Sequence, residues 1–323
     1  MIPRPSVPAC VSIGVLLMFA VSCGQVQSAG TEQPVTIRIS TGFRSGNFRP
    51  FSEALAKSYG QLLPDVRIQQ VDTTGSLDNI QGLEDGVIDI GLSQAGIAFM
   101  AYNGRLRQSA KPMRAIRGVA ILNSSAVQLL VGPRSRLRSL DELAGRRVGV
   151  GPDGSGAAVI SQALLHGYFS PGDVHEVHAT VPQTTSMLLN DTIDAAFTVS
   201  SVPNEDVKHM TEAGARLIPI RGPRVDRLRT MYPFFRAEVI PGGAYRGVDQ
   251  RIDTLSVDVV LLARAGLDDA IVRRLTDGLF RMLPHLNAEL PFLKGMVPER
   301  APATPVPLHP GAALYYRERE LRR

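Results

Sequence analysis

The chain has 323 residues, 44% of them hydrophobic and 20% charged, with no Trp, 6% aromatic residues and a formal net charge of +5. Nearly all the basic residues are Arg, but acids are interspersed among them and no basic block reaches five residues, which excludes a nucleic-acid footprint. The only two cysteines, Cys10 and Cys23, lie near the N-terminus, so the rest of the chain has no disulfide, thiol nucleophile or cysteine metal ligand.

Arg4 is the only charge among the first thirty residues, and an uncharged apolar run over residues 11–21 follows it. That run is shorter than the about 20 apolar residues that span a bilayer. A basic start, a short apolar stretch and small residues after it predict a secretory signal peptide over residues 1–22. Ala20-Val21-Ser22-Cys23 is similar to a lipobox, whose cysteine is diacylated and becomes the first mature residue, although Leu is commoner where Ala20 stands. Ordinary signal-peptidase cleavage near Gly24 or Ala29 is the alternative. Either route delivers the chain to the periplasm or the cell surface, and the lipobox reading tethers it there through Cys23. About 290 residues remain beyond the leader, enough for two lobes stabilised by ordinary burial.

From Pro34 onward, strands and helices alternate. Residues 35–40 alternate with period two and predict a strand. A Gly/Ser loop at 41–47 leads to a helix over 48–63, stopped by Pro64. Residues 66–71 form a second strand. A polar loop at 73–76 precedes a helix over 79–85, with Ser76 or Asp78 as its cap. A third strand over 86–92 ends in Ser93-Gln94-Ala95. Strands follow at 119–122 and 127–131. Then come a capped turn at 139–144, a Gly145 stop and a buried strand to Val150. The strand delivers Gly151-Pro152-Asp153-Gly154-Ser155-Gly156, and a helix runs over 157–166. A strand at 195–199 ends at Ser200-Ser201, and the apolar run 257–263 returns the chain to the first lobe. Residues 267–283 form an amphipathic helix closed by Pro284. The Pro-rich tail becomes helical after Pro310. No internal repeat of fixed period is visible. The alternation predicts a mostly parallel sheet with helices on its faces.

Polar, Gly-containing loops recur just after strands in both halves. In open α/β sheets ligands sit beyond the carboxyl ends of the strands, where unsatisfied helix N–H groups suit carboxylates and phosphates. The candidate ligand-binding residues are Thr41, Gly42, Arg44, Ser45 and Asn47 in the first loop, then Thr74, Gly75 and Ser76, then Ser93 and Gln94. In the second half they are Gly154, Ser155 and Gly156, then Thr198 and Ser200, with Tyr232 and Tyr245 able to stack on or hydrogen-bond a ligand.

Rival chemistries find little support. His175-Glu176-Val177-His178 is not the zinc-binding H-E-x-x-H spacing, and a strand would turn the two histidines to opposite sides. Ser155 lies in Gly-Ser-Gly without a nucleophile elbow, and the 151–156 loop lacks the Lys-Ser/Thr of a phosphate loop. No cofactor, metal or catalytic role is expected.

Taken in order, several segments resemble the TAXI family of solute receptors, the substrate-binding subunits of TRAP transporters. They are Ser40-Thr41-Gly42 with Gly46, Gly75-Ser76-Leu77-Asp78-Asn79-Ile80, and Gly86-Val87-Ile88-Asp89-Ile90-Gly91-Leu92-Ser93-Gln94-Ala95. Arg147-Val148-Gly149-Val150-Gly151-Pro152-Asp153-Gly154-Ser155-Gly156 and Ile193-Asp194-Ala195-Ala196-Phe197 follow. Tyr232-Pro233-Phe234-Phe235, Ile240-Pro241-Gly242-Gly243-Ala244-Tyr245 and Pro307-Leu308-His309-Pro310-Gly311-Ala312-Ala313-Leu314-Tyr315-Tyr316 complete the set. The resemblance implies a type II periplasmic-binding-protein fold. Two α/β lobes, residues 34–131 with 260–323 and residues 132–259, are joined by crossing strands around a ligand cleft. It also implies a small anionic or zwitterionic solute of the glutamate, dicarboxylate or keto acid class, TRAP membrane subunits as partners, and a monomer. The first loop departs from the family, whose members carry a Gly-rich run with paired aromatics there. Arg44 and Arg49 stand there instead, either as a bidentate carboxylate clamp or pointing to solvent. A sensory receptor of the same fold is the alternative to transport.

Overall fold

The computed structural model describes residues 1–2, 34–42, 48–106, 109–290, 293 and 295–321. The chain divides into Met1–Gln33 and Pro34–Arg323. The expectations for the leader, including lipidation of Cys23, and for Arg44, Ser45 and Asn47 lie outside the described residues.

The first half runs β1 (Val35–Ser40), α1 (Phe48–Leu62), β2 (Val66–Val71), α2 (Ser76–Glu84), β3 (Ile90–Gln94) and α3 (Ala95–Tyr102). β1 is parallel to β2 on one side and to β3 on the other. The second half runs β5 (Arg147–Gly149), α4 (Gly156–Tyr168), β6 (His175–Val177), α5 (Val181–Leu189) and β7 (Ala195–Ser200). Here β5 is parallel to β6 and β7. Two long antiparallel strands, β4 (Ile116–Val131) and β10 (Ile252–Arg264), pass between the halves. β3 pairs with β10 and β7 pairs with β4, both antiparallel. The order β2-β1-β3-β10-β4-β7-β5-β6 therefore reads the same way from either end. Each lobe is a strand–helix–strand–helix–strand unit closed by one crossing strand.

Two ion-pair staples mark the same duplication. In the first lobe the Arg38 backbone N–H and Nε both donate to Asp89 Oδ2, at 3.0 and 2.9 Å, and the Asp89 N–H donates to the Arg38 carbonyl at 2.8 Å. In the second lobe the Arg147 N–H and Nε donate to Asp194 Oδ2, at 2.8 and 3.1 Å, and the Asp194 N–H donates back at 2.8 Å. Each staple ties the first strand of a lobe to the turn that starts its third. Arg264 adds two further bonds to Asp89 Oδ1. No fixed period reveals this repeat because the loops between the shared elements differ in length.

The strands at 119–122 and 127–131 are one strand, β4. The polar Asn123-Ser124-Ser125 segment does not break it, because Ser124 and Ser125 have ladder partners in Asp258 and Val257 of β10. A register shift between Asp258 and Val260 kinks the pair at this crossing. Asp258 is buried there and accepts from Ser124 Oγ at 2.8 Å, Arg300 Nη2 at 2.9 Å and Arg236 Nη1 at 3.4 Å. β3 begins at Ile90 rather than at Gly86. Gly86 takes a positive φ of 70°, and the N–H groups of Val87 and Ile88 both bond the Gly82 carbonyl to close α2. The helix expected to close at Pro284 continues as α8 (Asp269–Glu289). Proline removes one N–H bond, but Leu283 and Leu286 are buried on either side of it and hold the last turns. The remaining elements are α6 (Glu205–Glu212), β8 (Arg216–Ile218), α7 (Pro223–Met231), β9 (Arg236–Ile240) and α9 (Pro310–Glu320).

One apolar cluster lies among α1, α8 and α9 in the first lobe, around Phe51, Leu55, Leu275 and Leu279. Another lies in the second lobe around Leu188, Val207 and Met210. A third is shared by both lobes. It joins Ile97 and Ala98 of α3 to Ile160 and Leu164 of α4 and to Phe234 and Phe235. Gly96 permits this seam, since a Cβ there would meet Phe234 Cδ2 at 2.6 Å and Ile160 Cδ1 at 2.9 Å.

Candidate functional site

The parallel strands of each lobe deliver their carboxyl ends, and the helices that follow them, to the space between the lobes. A cavity of about 310 Å³ lies there, lined from the first lobe by Phe48, Gly75, Ser76 and Gln94. The second lobe contributes Gly151, Ser155, Gly156, Thr180, Thr198 and Ser200 to its polar lining. A smaller compartment of about 110 Å³ reaches toward the crossing strands and shares Phe48, Gln94, Val199, Ser200 and Asn204 with the larger one. Asn123, Ser125 and Val259 floor it. Ser124 and Asp258 alternate to the opposite face.

Four helices begin at this cavity. The first turn of α2 starts at Gly75, whose φ of 122° brings the chain in tightly and which offers no side-chain cap. The Ser76 N–H and its two successors thus have no acceptor among the described residues. In α4 the Ser155 hydroxyl accepts from the Ala158 N–H at 3.1 Å, leaving the N–H groups of Gly156 and Ala157. α5 is closed by a capping box between Thr180 and Gln183, and Asn204 Oδ1 caps α6, accepting from the Val207 N–H at 3.2 Å and leaving the N–H groups of Glu205 and Asp206 beside those residues' own carboxylates. The open donors of α2 and α4 come from different lobes and lie close together. A Cβ on Gly156 would stand 2.9 Å from Ser76 Oγ and 3.0 Å from Gln94 Oε1. Gln94 is held from behind, its own N–H donating to Ser76 Oγ at 3.2 Å.

The described lining carries no cationic side chain and one carboxylate, Asp206 in the first turn of α6. Arg49 is engaged elsewhere. Its Nη2 donates to Asp72 Oδ1 at 2.9 Å and to the Gly42 carbonyl at 3.4 Å, and it does not line the cavity. Among the described residues, positive potential at the site comes from helix N-termini. Three polar atoms of residues lining the cavity or its smaller compartment are buried without a hydrogen-bond partner among the described residues, Gln94 Oε1, Asn123 Oδ1 and Thr198 Oγ1, and Gln128 Oε1 is a fourth, on a residue that bonds the lining Ser200.

Seven residues expected from the sequence line the cavity: Gly75, Ser76, Gln94, Ser155, Gly156, Thr198 and Ser200. Five others stand behind it. Thr41 Oγ1 donates to Asp72 Oδ1 at 3.0 Å, and the Gly42 N–H, at a φ of 74°, donates to Thr73 Oγ1 at 2.8 Å. The Thr74 N–H donates to Asp78 Oδ2 at 2.8 Å, and Ser93 Oγ to the Gln94 carbonyl at 3.1 Å. Gly154 takes a φ of 71° in the turn before α4. The two tyrosines lie elsewhere. Tyr232 packs edge-on to Phe235 and near Phe234 in the seam. Tyr245 is buried in the second lobe, where its hydroxyl accepts from the Asn204 N–H at 3.0 Å. Burial pushes its pKa up to about 12, against the opposing effect of the bonds from Asn204 and Gln128. His175 and His178 are both exposed, and no group of three metal-binding side chains occurs among the described residues.

Sequence reading missed Phe48, Thr180, Phe197, Asn204, Asp206 and Met210 in the lining. The Thr180-to-Gln183 capping box was the available signal for the α5 end of the site. Asn123 and Ser125 were hidden by the break assigned in β4.

Paired parallel-strand lobes, two crossing strands and a cavity at facing helix N-termini define the periplasmic-binding-protein fold. The same fold is found in MatC from Rhodopseudomonas palustris, solved with bound malate. That protein is 17% identical and matches over 89% of this chain and 98% of its own, at a TM-score of 0.56. XAC2383 from Xanthomonas citri, solved with chloride, is 11% identical over 88% of this chain and 99% of its own, at a TM-score of 0.54. A putative L-cystine ABC transporter protein from Listeria monocytogenes is 14% identical over 81% and 98%, at 0.51. Within that class, the NMT1-like family profile matches residues 39–319, and the chain belongs to the NMT1-like family. No helix among the described residues is long and apolar enough to cross a membrane.

Proposed function

We propose that the chain is an extracytoplasmic solute-binding protein that captures a small polar, carboxylate-bearing ligand and delivers it to TRAP-type membrane subunits, as a receptor of the TAXI kind. The observation that carries this reading is the pairing of open helix N-termini, α2 from one lobe and α4 from the other, around Gln94 and Gly156. A carboxylate there would be shared by both lobes and would favour the closed arrangement. Gly75, Ser76, Gln94, Ser155, Gly156, Thr198 and Ser200 are the proposed contacts. The buried, unpartnered atoms set the direction of the equilibrium. Each costs about 1–3 kcal/mol when sealed from water without a partner, so hydration favours opening and a ligand that supplies partners favours closure.

The proposed lobes are residues 34–131 with 260–323 and residues 132–259. The leader directs export and Cys23 supplies the lipid tether, consistent with the apolar run and lipobox-like Ala20-Val21-Ser22-Cys23. The exported chain acts as a monomer. Screening amino acids, dicarboxylates and keto acids by thermal unfolding and small-angle scattering tests the reading. A true ligand at 100 times its Kd stabilises by about 2.7 kcal/mol and reduces the radius of gyration. A screen in which no acid does either would overturn it.

A further inference from the structure

We infer that the cavity selects a ligand with a single carboxylate and an apolar body, and rejects a second carboxylate. This rests on the carboxylate reading above and narrows it. Anion-favouring donors with no carboxylate lining the cavity beside them lie at one end, where the open N-termini of α2 and α4 meet Gln94, whereas the first turn of α6 carries Glu205 and Asp206. Gln94 is only 6% exposed, and its unpartnered amide end lies beside Gly156. A half-turn of the amide presents N–H donors there to a ligand oxygen.

Away from that end the wall changes character. Ala179, Val181, Pro182, Phe197, Val199 and Met210 of the second lobe line it. Phe48 of the first lobe faces them across the cavity. Such a wall gains about fourfold in affinity for each ligand methylene it removes from water. A second carboxylate on this wall would lose its hydration and find no cationic side chain among the described residues. It would also meet Asp206, which lines the cavity and has no ion-pair partner among them. Asp206 could accept an ammonium, so the class includes both apolar 2-oxo acids and apolar amino acids.

The test is calorimetric titration of the exported protein with 4-methyl-2-oxopentanoate, phenylpyruvate and leucine, set against succinate, malate, 2-oxoglutarate and glutamate. At least one apolar acid should bind 30-fold or more tightly than every dicarboxylate. Leucine binding above its 2-oxo analogue assigns Asp206 to the ammonium, and the reverse leaves Asp206 as a repulsive group. A Val181→Lys variant, which adds a cation to the wall, should narrow the preference at least tenfold. A dicarboxylate that binds as tightly as the apolar acids overturns this inference and leaves the carboxylate reading standing. A panel in which none of the seven acids binds overturns both.

Discussion

Replacing Gly156 by alanine separates the ligand seat from the stability of the fold. Gly156 is the first residue of α4, its φ is not in the left-handed region, and the nearest atoms an added Cβ meets outside its own helix are side-chain atoms of Ser76 and Gln94. Restricting the unfolded chain should therefore leave stability unchanged or raise it by about 0.4–1 kcal/mol. Across the cavity the new Cβ would stand 2.9 Å from Ser76 Oγ, 3.0 Å from Gln94 Oε1 and 3.2 Å from Gln94 Cδ. The Gln94 amide is the far end of a flexible side chain and can swing away, and Ser76 Oγ need yield only a few tenths of an ångström while keeping the bond from the Gln94 N–H, but the amide then leaves the ligand position and the methyl blocks approach to the open N–H groups. Losing two hydrogen bonds of about 0.5–1.5 kcal/mol each amounts to about 1–3 kcal/mol, or 5- to 150-fold in Kd. Urea unfolding measures the first quantity and titration calorimetry with the tightest acid the second. The reasoning fails if affinity stays within threefold of the parent, or if the variant loses stability in step with affinity.

Other perturbations have equally definite outcomes. Gly96→Ala forces a methyl against Phe234 and Ile160 in the shared seam and should cost about 1–3 kcal/mol in urea unfolding, with a larger radius of gyration by scattering; a change under 0.5 kcal/mol would contradict it. Tyr245→Phe removes the acceptor of the Asn204 N–H, so stability should fall by about 1 kcal/mol and ligand affinity severalfold, because Asn204 lines both compartments. Burial raises the pKa of Asp89, but the hydrogen bonds from Arg38 and Arg264 outweigh it and hold the carboxyl below its ordinary value. Asp194 follows the same pattern, with Arg147 outweighing burial. A depressed folded pKa contributes stability above the unfolded value and loses it as pH falls through the folded one. Urea midpoints should therefore fall below about pH 4, less steeply in Asp89→Asn with Asp194→Asn. An unchanged acid slope in that double variant would remove the staples from the account.

The alternation of strand, polar loop and helix was legible because each element carries its own signal. β1 alternates with period two, α1 stops at Pro64, and the loop Gly151-Pro152-Asp153-Gly154-Ser155-Gly156 announces the start of α4. Half-buried polar segments misled the reading. Asn123-Ser124-Ser125 looks like a turn, but its strand character comes from pairing with β10, more than 130 residues away. α3 gave no periodic signal because its Ala-Gly-Ile-Ala-Phe-Met-Ala sequence is buried nearly all round. The polar end of the site was readable from Gly75, Ser76, Gln94, Ser155 and Gly156, whose residue types suit strand ends and helix starts. The apolar wall was not, since Phe197 and Met210 look like any core residue until the lobes are set against each other. The sequence left Arg49 open between a carboxylate clamp and solvent; it lies in α1, and Asp72 holds it.

Small-angle scattering of the exported protein, free and saturated with its tightest-binding acid, bears most directly on closure of two lobes around a carboxylate. The account predicts one acid per chain, a smaller radius of gyration when bound, and a midpoint for that compaction at about 5- to 150-fold higher acid concentration in Gly156→Ala. An acid that binds with no change in the radius of gyration, or that compacts Gly156→Ala with the parent's midpoint, would contradict it.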